Sequence, residues 1–430
     1  MSQLWRSQIN QGMAPQAWAL NRSIDRDYAL WPHELLGSKA HVDMLDKTEL
    51  LSQEQARALR EAIDELACEF ANRQIEVLES DEDIHGLVER LLVERLGPWA
   101  SMVHMGRSRN EQVLLDERLY LLENATTLRS KLQDAIAVLV QMADRADHQM
   151  VPSYTHLRRA QPMFLRQYWI AHATWWSRCI EDLDQYEQSL LRECPMGSGA
   201  INGTTLPTNP HYEAHRLGFE GPPSNALATV SSRADVIRFA AIWTHWMLEV
   251  SRLMEDLILW TSDEFGFASF SGAVTSGSSM MPQKRNPDIC ELIRGKSAVV
   301  MGYYTGLMTL TKGLPMGYMK DFQEDKTLLL PLVGDMHLVL DVMPVLLQAL
   351  HVNAEAMSHA TEDPLLLATD VMEVLVRRGM PLREAHRAIG DCIAEAIQEN
   401  VSFAELATNR WQLSPETFHP QASCLKRDTT

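Results

Sequence analysis

The sequence predicts an all-α protein, because helical periodicity dominates the chain and strand patterns of useful length are absent. Residues 109–150 run about forty positions without glycine or proline and carry apolar residues three and four positions apart, which is the spacing of one helical face. The same spacing predicts three further long helices, at 234–262, 287–311 and 325–352. In the last of these we expect a bend at Pro331 or Pro344, since proline removes a backbone donor.

Several of these helices are apolar on more than one face, as in FAAIWTHWMLEVSRLMEDLILW at 239–260. A helix of this kind must be covered on most sides. We therefore predict a central long-helix bundle completed by a homo-oligomer, with a large single-chain core as the alternative. Glycine- and proline-rich connectors divide the chain into three regions: an N-terminal helical domain at 1–105, the central bundle at 106–355 and a small C-terminal helical domain at 356–430.

Composition restricts the function classes. The 430 residues are 46% hydrophobic and 22% charged, as in a soluble globular protein. A formal net charge of −18 argues against nucleic acid or an anionic membrane as the main partner. The N-terminus lacks an apolar signal region, and the chain lacks an uncharged apolar run of about eighteen residues that would predict a membrane span. Six scattered cysteines without CxxC spacing predict reduced thiols in the cytoplasm, and we expect no metal and no cofactor.

The first stretch that suggests chemistry is HMGRSRNEQV at 104–113, where Gly106 interrupts the chain before the longest helix. Ser108 or Asn110 is a good N-cap for that helix. Arg107 and Arg109 lie at its N-terminus, where they oppose the helix dipole unless an anion binds there. The stretch therefore predicts an anion site, and a surface cap with solvated arginines is the alternative.

The second stretch, SYTHLRRAQP at 153–162, places Thr155 and His156 just before a predicted helix bounded by proline. A lone histidine is more often structural than catalytic. Here a hydroxyl, an imidazole and two arginines share six positions, so both interpretations stay open.

The third stretch, VTSGSSMMPQKRNPDICE at 274–291, is flexible in its first half and cationic in its second. Asn286 is a predicted N-cap with Pro287 at the first helical position, so that Lys284 and Asn286 offer donors at the positive end of a helix. Glu291 lies one turn inside that helix and could orient a histidine. A mobile lid that carries a serine over an anion site suits a carboxylate substrate; a linker before a capped helix is the alternative.

The fourth stretch, GYMKDFQEDK at 317–326, offers Tyr318, Lys320, Gln323 and Lys326 within ten positions. Alone it is weak, because mixed charge near a helix start is usually a solvated face.

Together these stretches resemble the fumarase/aspartase superfamily, whose signature Gly-Ser-Ser-x-Met-Pro-x-Lys-x-Asn-Pro is matched by GSSMMPQKRNP at 277–287. Within it the chain is most similar to the argininosuccinate lyase branch. That branch's His-Thr-Gly-Arg-Ser-Arg-Asn-Asp-Gln-Val and Tyr-Thr-His-Leu-Gln-Arg-Ala-Gln-Pro resemble HMGRSRNEQV and YTHLRRAQP. Further branch motifs are matched by SDEDIH at 80–85, LTKGLP at 310–315, KDFQEDK at 320–326 and PLREAHRAIG at 381–390.

The resemblance implies a homotetramer with a central helical bundle, in which each active site is built from three chains. It also implies a reversible anti elimination that splits a C–N bond of argininosuccinate and releases arginine and fumarate. By motif position, Ser278 resembles the catalytic base, helped by Lys284 and nearby amides, and His156 resembles the acid-side histidine, oriented by Glu291. Further positions would bind substrate: Ser108, Asn110, Thr155, Lys284 and Asn286 at the carboxylates of the fumarate side, and Ser23, Tyr318, Gln323 and Lys326 at the amino-acid end of the leaving group. Arg107 and Arg109 would also bind substrate.

Several positions depart from the branch's motifs. Met105 and Met319 replace a threonine and an asparagine close to the predicted pocket. The other departures are Arg158, the pair Asn209-Pro210, and Ala226, Ala228, Ser232 and Ala234, where one hydroxyl and three carboxylates are missing. Two alternatives therefore stay open. One is a fumarate-releasing lyase of a different N-substituted aspartate in a specialised pathway, and the other is a non-catalytic, crystallin-like homologue.

Overall fold

The computed structural model describes residues 12–428, and most of them are helical, so the predicted all-α class is confirmed. The α-helices are, in chain order, α1 Pro15–Asn21, α2 Ile24–Asp27, α3 Trp31–Lys47, α4 Gln53–Ala71, α5 Ile84–Leu96, α6 Arg109–Ala146, α7 Leu165–Leu191, α8 Pro210–Arg216, α9 Ala226–Val230, α10 Ala234–Trp260, α11 Asp288–Thr311, α12 Asp325–Gln348, α13 Ala354–His359, α14 Ala368–Arg377, α15 Leu382–Glu399, α16 Phe403–Trp411 and α17 Pro420–Arg427. Short 3-10 helices lie at Tyr28–Leu30, Pro98–His104, Gly272–Val274, Lys320–Glu324, Pro364–Leu367 and Pro415–Phe418.

The four long helices predicted from periodicity are present as α6, α10, α11 and α12, each within a few residues of its predicted ends. The longest, α6, has 38 residues. Helix α12 runs unbroken through Pro331 and Pro344. One helical stretch, Lys320–Gln348, is long and apolar enough by composition to cross a membrane, with a mean hydropathy of 1.6, but the core helix of a soluble protein has the same properties.

Within residues 12–428, six short strands form three two-stranded antiparallel sheets, which the sequence patterns did not predict. They are β1 Met150–Thr155 with β2 Arg158–Phe164, β3 Ala268–Phe270 with β6 Leu350–Val352, and β4 Ser276–Gly277 with β5 Arg285–Asn286. The expectation that Thr155 and His156 precede a helix is wrong. Thr155 pairs with Arg158, and His156 and Leu157 form the two-residue turn between them with φ of 54° and 56°, the positive values that such hairpin turns require.

The chain folds into two compact units, each built from three separate stretches. Unit 1 comprises 12–129, 181–244 and 299–336, and unit 2 comprises 130–180, 245–298 and 337–428. The division into N-terminal, central and C-terminal regions stays a prediction.

Unit 1 contains a hydrophobic core between α3, α4 and α5, with Val42, Leu45, Leu59, Leu66 and Leu87 among its buried members. Apolar side chains recur along one face of α4, which begins with a capping box between Ser52 and Gln55. This core fixes α3 and α5, which carry part of the candidate site. In unit 2, a separate core joins α14, α15 and α16.

Candidate active site

Unit 1 contains a cleft of about 620 Å³. Eight of the residues predicted to bind substrate line it: Ser23, Arg107, Ser108, Arg109, Asn110, Tyr318, Gln323 and Lys326. They come from three stretches of sequence that are far apart along the chain. The cleft therefore brings together the first and fourth predicted stretches and the segment around Ser23.

One wall of the cleft is the N-terminus of α6, where Ser108, one of the two predicted caps, stands just before the first helical residue. The backbone N–H of Ser108 donates to Glu111 Oε1 at 2.9 Å, and the Asn110 N–H donates to Ser108 Oγ at 3.3 Å. The Asn110 side chain donates to the carbonyl of Ala200 at 2.9 Å. Both side chains are thus held by local hydrogen bonds at the positive end of a long helix.

A glycine-rich loop forms the adjacent wall and is held by the buried carboxylate of Glu111. Its Oε2 accepts the backbone N–H groups of Gly197 and Gly199 at 2.9 and 2.7 Å. Gly199 has a φ of +58°, and a Cβ there would lie 2.6 Å from the carbonyl oxygen of Gly203. Only glycine fits this position, and the loop is fixed to the start of α6 through one side chain.

The two arginines of the first stretch are held by partners, so the alternative of solvated arginines is wrong. The guanidinium of Arg107 is buried; it donates to Ser38 Oγ at 3.0 Å and lies 4.0 Å from Glu34. Arg109 donates to Asp83 at 2.9 Å. Burial, and then the two arginines, lower the pKa of the neighbouring His104 to about 3. His104 is therefore neutral at pH 7, and the positive charge of this wall belongs to the arginines.

A buried network lies beneath this wall. His85 Nδ1 lies 2.6 Å from Glu34 and 3.6 Å from Asp116, and Glu34 also accepts hydrogen bonds from Ser38 and Gln112. Burial alone would raise the pKa of Glu34, but His85, together with Arg107 and Ser38, outweighs it and lowers the pKa to about 2. Glu34, His85 and Asp116 each offer one atom that could bind a metal ion, and these atoms lie within 4.8 Å of one another. The oxygens of Glu34, however, already accept hydrogen bonds within the protein.

The opposite wall carries the residues predicted to hold the leaving group. Ser23 donates to Asp27 at 2.6 Å, and Gln323 donates to the carbonyl of Asn21 at 3.0 Å. Lys326 is buried, and its ammonium donates to Glu117 at 3.0 Å. Burial raises the pKa of Tyr318, so its hydroxyl stays protonated and can donate to a substrate carboxylate.

The other six predicted residues, Thr155, His156, Ser278, Lys284, Asn286 and Glu291, belong to unit 2. Thr155 and His156 are exposed at the tip of the β1–β2 hairpin, and Glu291 is exposed in the first turn of α11. Within residues 12–428, no hydrogen bond joins His156 to Glu291.

The signature loop is the connection of the β4–β5 hairpin, closed at its base where Ser276 pairs with Asn286. Ser278 Oγ accepts the backbone N–H groups of Met280 and Met281 at 3.3 and 3.1 Å. Asn286 lies in β5, and α11 begins two positions later, at Asp288. The prediction that Asn286 caps this helix is therefore wrong.

Sequence reasoning missed several cleft-lining residues, among them Asp27, Asp83 and His85. The signal for two of them was SDEDIH at 80–85, which matches a branch motif but suggested no role. Met105 and Met319 are not among the lining residues. Met105 packs against the core of α3, α4 and α5, and its carbonyl accepts from His41 at 3.0 Å.

Comparison with known proteins adds two matches to family profiles. The family described as "Lyase" matches residues 10–302, and the one described as "Argininosuccinate lyase C-terminal" matches residues 365–426. The structure is also similar to a crystal structure of EDDS lyase in complex with formate, with a TM-score of 0.79 and 24% identity over 97% of this chain and 86% of that one. A class II fumarase from Schistosoma mansoni has the same TM-score at 14% identity, over 96% and 93% of the two chains. At these identities the likeness concerns the fold.

Two argininosuccinate lyases are more similar in sequence. The protein from Synechococcus sp. (strain JA-3-3Ab) is 37% identical over 96% of this chain and 84% of its own length. The protein from Legionella pneumophila (strain Lens) is 37% identical over 94% of this chain and 98% of its own length. The chain is therefore a carbon–nitrogen lyase of the fumarase/aspartase superfamily and belongs to its argininosuccinate lyase family.

Proposed function

We propose that this enzyme splits argininosuccinate into arginine and fumarate by a reversible anti elimination. What carries the proposal is that eight residues assigned to substrate by the family motifs line one cleft. The cleft combines two arginines and a buried lysine with the N-terminus of a long helix, in a chain whose net charge is −18. Donors of this kind suit a substrate with several carboxylates, and Asp27, Glu82 and Asp83 in the same lining offer acceptors for a cationic group.

Ser278 is the proposed base that removes the proton from the carbon beside a carboxylate. A serine hydroxyl is a weak base, so its anion must be stabilised. The two backbone N–H groups that point at Ser278 Oγ, from Met280 and Met281, support the assignment because donors to the charged form lower a pKa. Lys284, in the same loop, would add a positive charge.

On the acid side, His156, oriented by Glu291, would give a proton to the departing nitrogen as the C–N bond breaks. The electron pair of the broken C–H bond forms the double bond of fumarate. Charge develops first on the carboxylate next to that carbon, and donors from Ser108 and Asn110, with Thr155 and Asn286, would stabilise it.

The enzyme is proposed to be a homotetramer whose active sites each combine residues of three chains. Six of the assigned residues belong to unit 2, whereas the residues that line the cleft belong to unit 1. Large apolar side chains are exposed along the long helices: Leu248 on α10, Leu292 and Val299 on α11, and Leu338 and Val345 on α12. Faces of this kind are covered when identical bundles associate. All six cysteines are free thiols, in keeping with a cytoplasmic enzyme.

The test is the appearance of fumarate absorbance when the purified protein meets argininosuccinate, with arginine as the second product. In the reverse direction, fumarate and arginine should combine to form argininosuccinate. A different N-substituted aspartate was suggested by Met105 and Met319, but neither side chain lines the cleft. Formation of an adduct from fumarate with another amine, and none with arginine, would overturn the substrate. Absence of product in both directions would indicate a non-catalytic homologue.

A further inference from the structure

Four charged side chains form a closed, buried ring beneath the wall of the cleft that carries Lys326. Lys326 donates to Asp325 at 2.6 Å and to Glu117 at 3.0 Å. Arg233 closes the ring by pairing with Asp325 and lying 3.3 Å from Glu117. Each of the four side chains is at most 3% exposed. Positive and negative members alternate, and burial raises the pKa of Glu117 to about 7 although Arg233 and Lys326 lower it.

Within this ring the ammonium of Lys326 uses two of its three N–H groups on carboxylates. Lys326 also lines the cleft, so the third N–H is the one it can offer to a ligand. A lysine side chain has four rotatable bonds and points only where its partners hold it. The direction of the third donor is therefore set by Asp325 and Glu117.

The two carboxylates are not equivalent. Asp325 is the neighbour of Lys326 in sequence and moves with it at the start of α12. Glu117 lies on α6, the helix whose N-terminus presents Ser108 and Asn110 to the same cleft. The bond between Glu117 and Lys326 is thus the one that ties the two walls of the cleft to each other.

We propose that Glu117 is a positioning residue: it holds Lys326 at a fixed distance from the start of α6 and so matches the cleft to the length of its substrate. This inference rests on the proposed function, in which the α6 wall holds the fumarate-side carboxylates and Lys326 holds the amino-acid end of the leaving group. Glu117 itself is not among the residues that line the cleft.

The decisive variant is Glu117→Leu combined with Arg233→Met, which removes one negative and one positive charge and leaves Lys326 with Asp325. Replacing a buried ion pair by apolar side chains of similar size is often neutral for stability, so this protein is expected to fold. Glu117→Gln keeps one oxygen that can accept from Lys326, and serves as the conservative replacement. Asp134→Leu, at an exposed position of the same helix, is the matched control.

Loss of a hydrogen bond to a charged group weakens binding by roughly ten- to a hundredfold. For the double variant we expect KM for argininosuccinate to rise by that factor and kcat to change much less, because the contact lies away from the breaking bond. The KM of Glu117→Gln should fall between those of the double variant and the wild type, and Asp134→Leu should have the KM of the wild type. A purely structural role would instead lower the active fraction, leave KM unchanged and leave Glu117→Gln without rescue.

A crystal structure of the double variant separates this inference from the proposed function. A Lys326 ammonium displaced from its wild-type position supports the positioning role even if the substrate is not argininosuccinate. An ammonium that stays in place beside Asp325, or an unchanged KM in an enzyme that is active on argininosuccinate, overturns it. Failure of the wild type to release fumarate would contradict the proposed function alone.

Discussion

Replacement of Glu111 by alanine should free the glycine-rich loop from the cleft wall. The Glu111 carboxylate accepts three backbone N–H groups, from Ser108 at 2.9 Å, Gly197 at 2.9 Å and Gly199 at 2.7 Å. It is fully buried, so no other acceptor stands ready when it is removed. The loop also supplies the Ala200 carbonyl that orients Asn110.

Two opposing effects determine how much the alanine substitution lowers the free energy of opening the loop. An unsatisfied buried donor costs about 1–3 kcal/mol, so three of them would cost on the order of 3–9 kcal/mol. Burial, however, raises the pKa of Glu111 in spite of its N–H donors, which means that burying the charge is itself unfavourable and that removing it returns part of the cost. Water entering the space left by the side chain returns more. We expect opening of the loop to become easier by about 3 kcal/mol, which is roughly a hundredfold.

Amide hydrogen exchange, read by mass spectrometry on a peptide covering 195–205, measures this opening directly. The alanine variant should exchange there roughly a hundred times faster, and Glu111→Gln, which keeps one oxygen acceptor, by an intermediate factor. A peptide covering 53–71, in the core of the same unit, should not change. If the loop peptide exchanges at the wild-type rate, the Glu111 carboxylate does not hold the loop and the reasoning is wrong.

Three further predictions concern the base, the buried network and the assembly. Ser278→Ala should lower kcat by roughly 10²–10⁴-fold with little change in KM, whereas Ser276→Ala in the adjoining strand should keep full turnover. The pKa of Glu34 lies at about 2, below its ordinary value of 4.5. Its pairing with His85 therefore stabilises the fold fully above pH 4.5 and progressively less as pH falls towards 2; Tm measured against pH should lose this slope in Glu34→Gln. Leu338 is 60% exposed on α12, and Leu338→Asp should shift sedimentation from the proposed tetramer to smaller species, while Leu338→Met should not.

The long helices could be predicted because each leaves a repeating apolar pattern in its own sequence, independent of any partner. The strands could not. The β1–β2 hairpin has no Asn-Gly or Asp-Gly at its turn, only His156 and Leu157 in positive φ, and Pro162 stands inside its second strand. Both features argue locally against a hairpin. Met150 pairs with Phe164 across the hairpin. A repeating apolar pattern within one segment does not reveal such a contact between two segments.

In the candidate site, too, some residues could be predicted from the sequence and others could not. Ser108 could be assigned as a cap because a cap is a local feature, and the eight cleft-lining residues could be assigned because they lie in recognisable motifs. Glu111 and Glu117, in contrast, read as ordinary polar positions of a helix, since glutamate is a good helix former. Their roles depend on Gly199 and Lys326, which are brought to them by the fold.

Arg233 illustrates why a departure from a motif does not by itself predict a lost interaction. Ser232 and Ala234 flank it at two positions where the family's motif has carboxylates. The structure supplies both partners from elsewhere: Asp325, 92 positions further along the chain, and Glu117 on α6. A buried guanidinium must be paired with an acid. That acid can come from any position in the sequence that the fold brings close to it. The structure thus pairs Arg233 without the carboxylates of the family's motif, and the same ring holds Lys326 at the cleft.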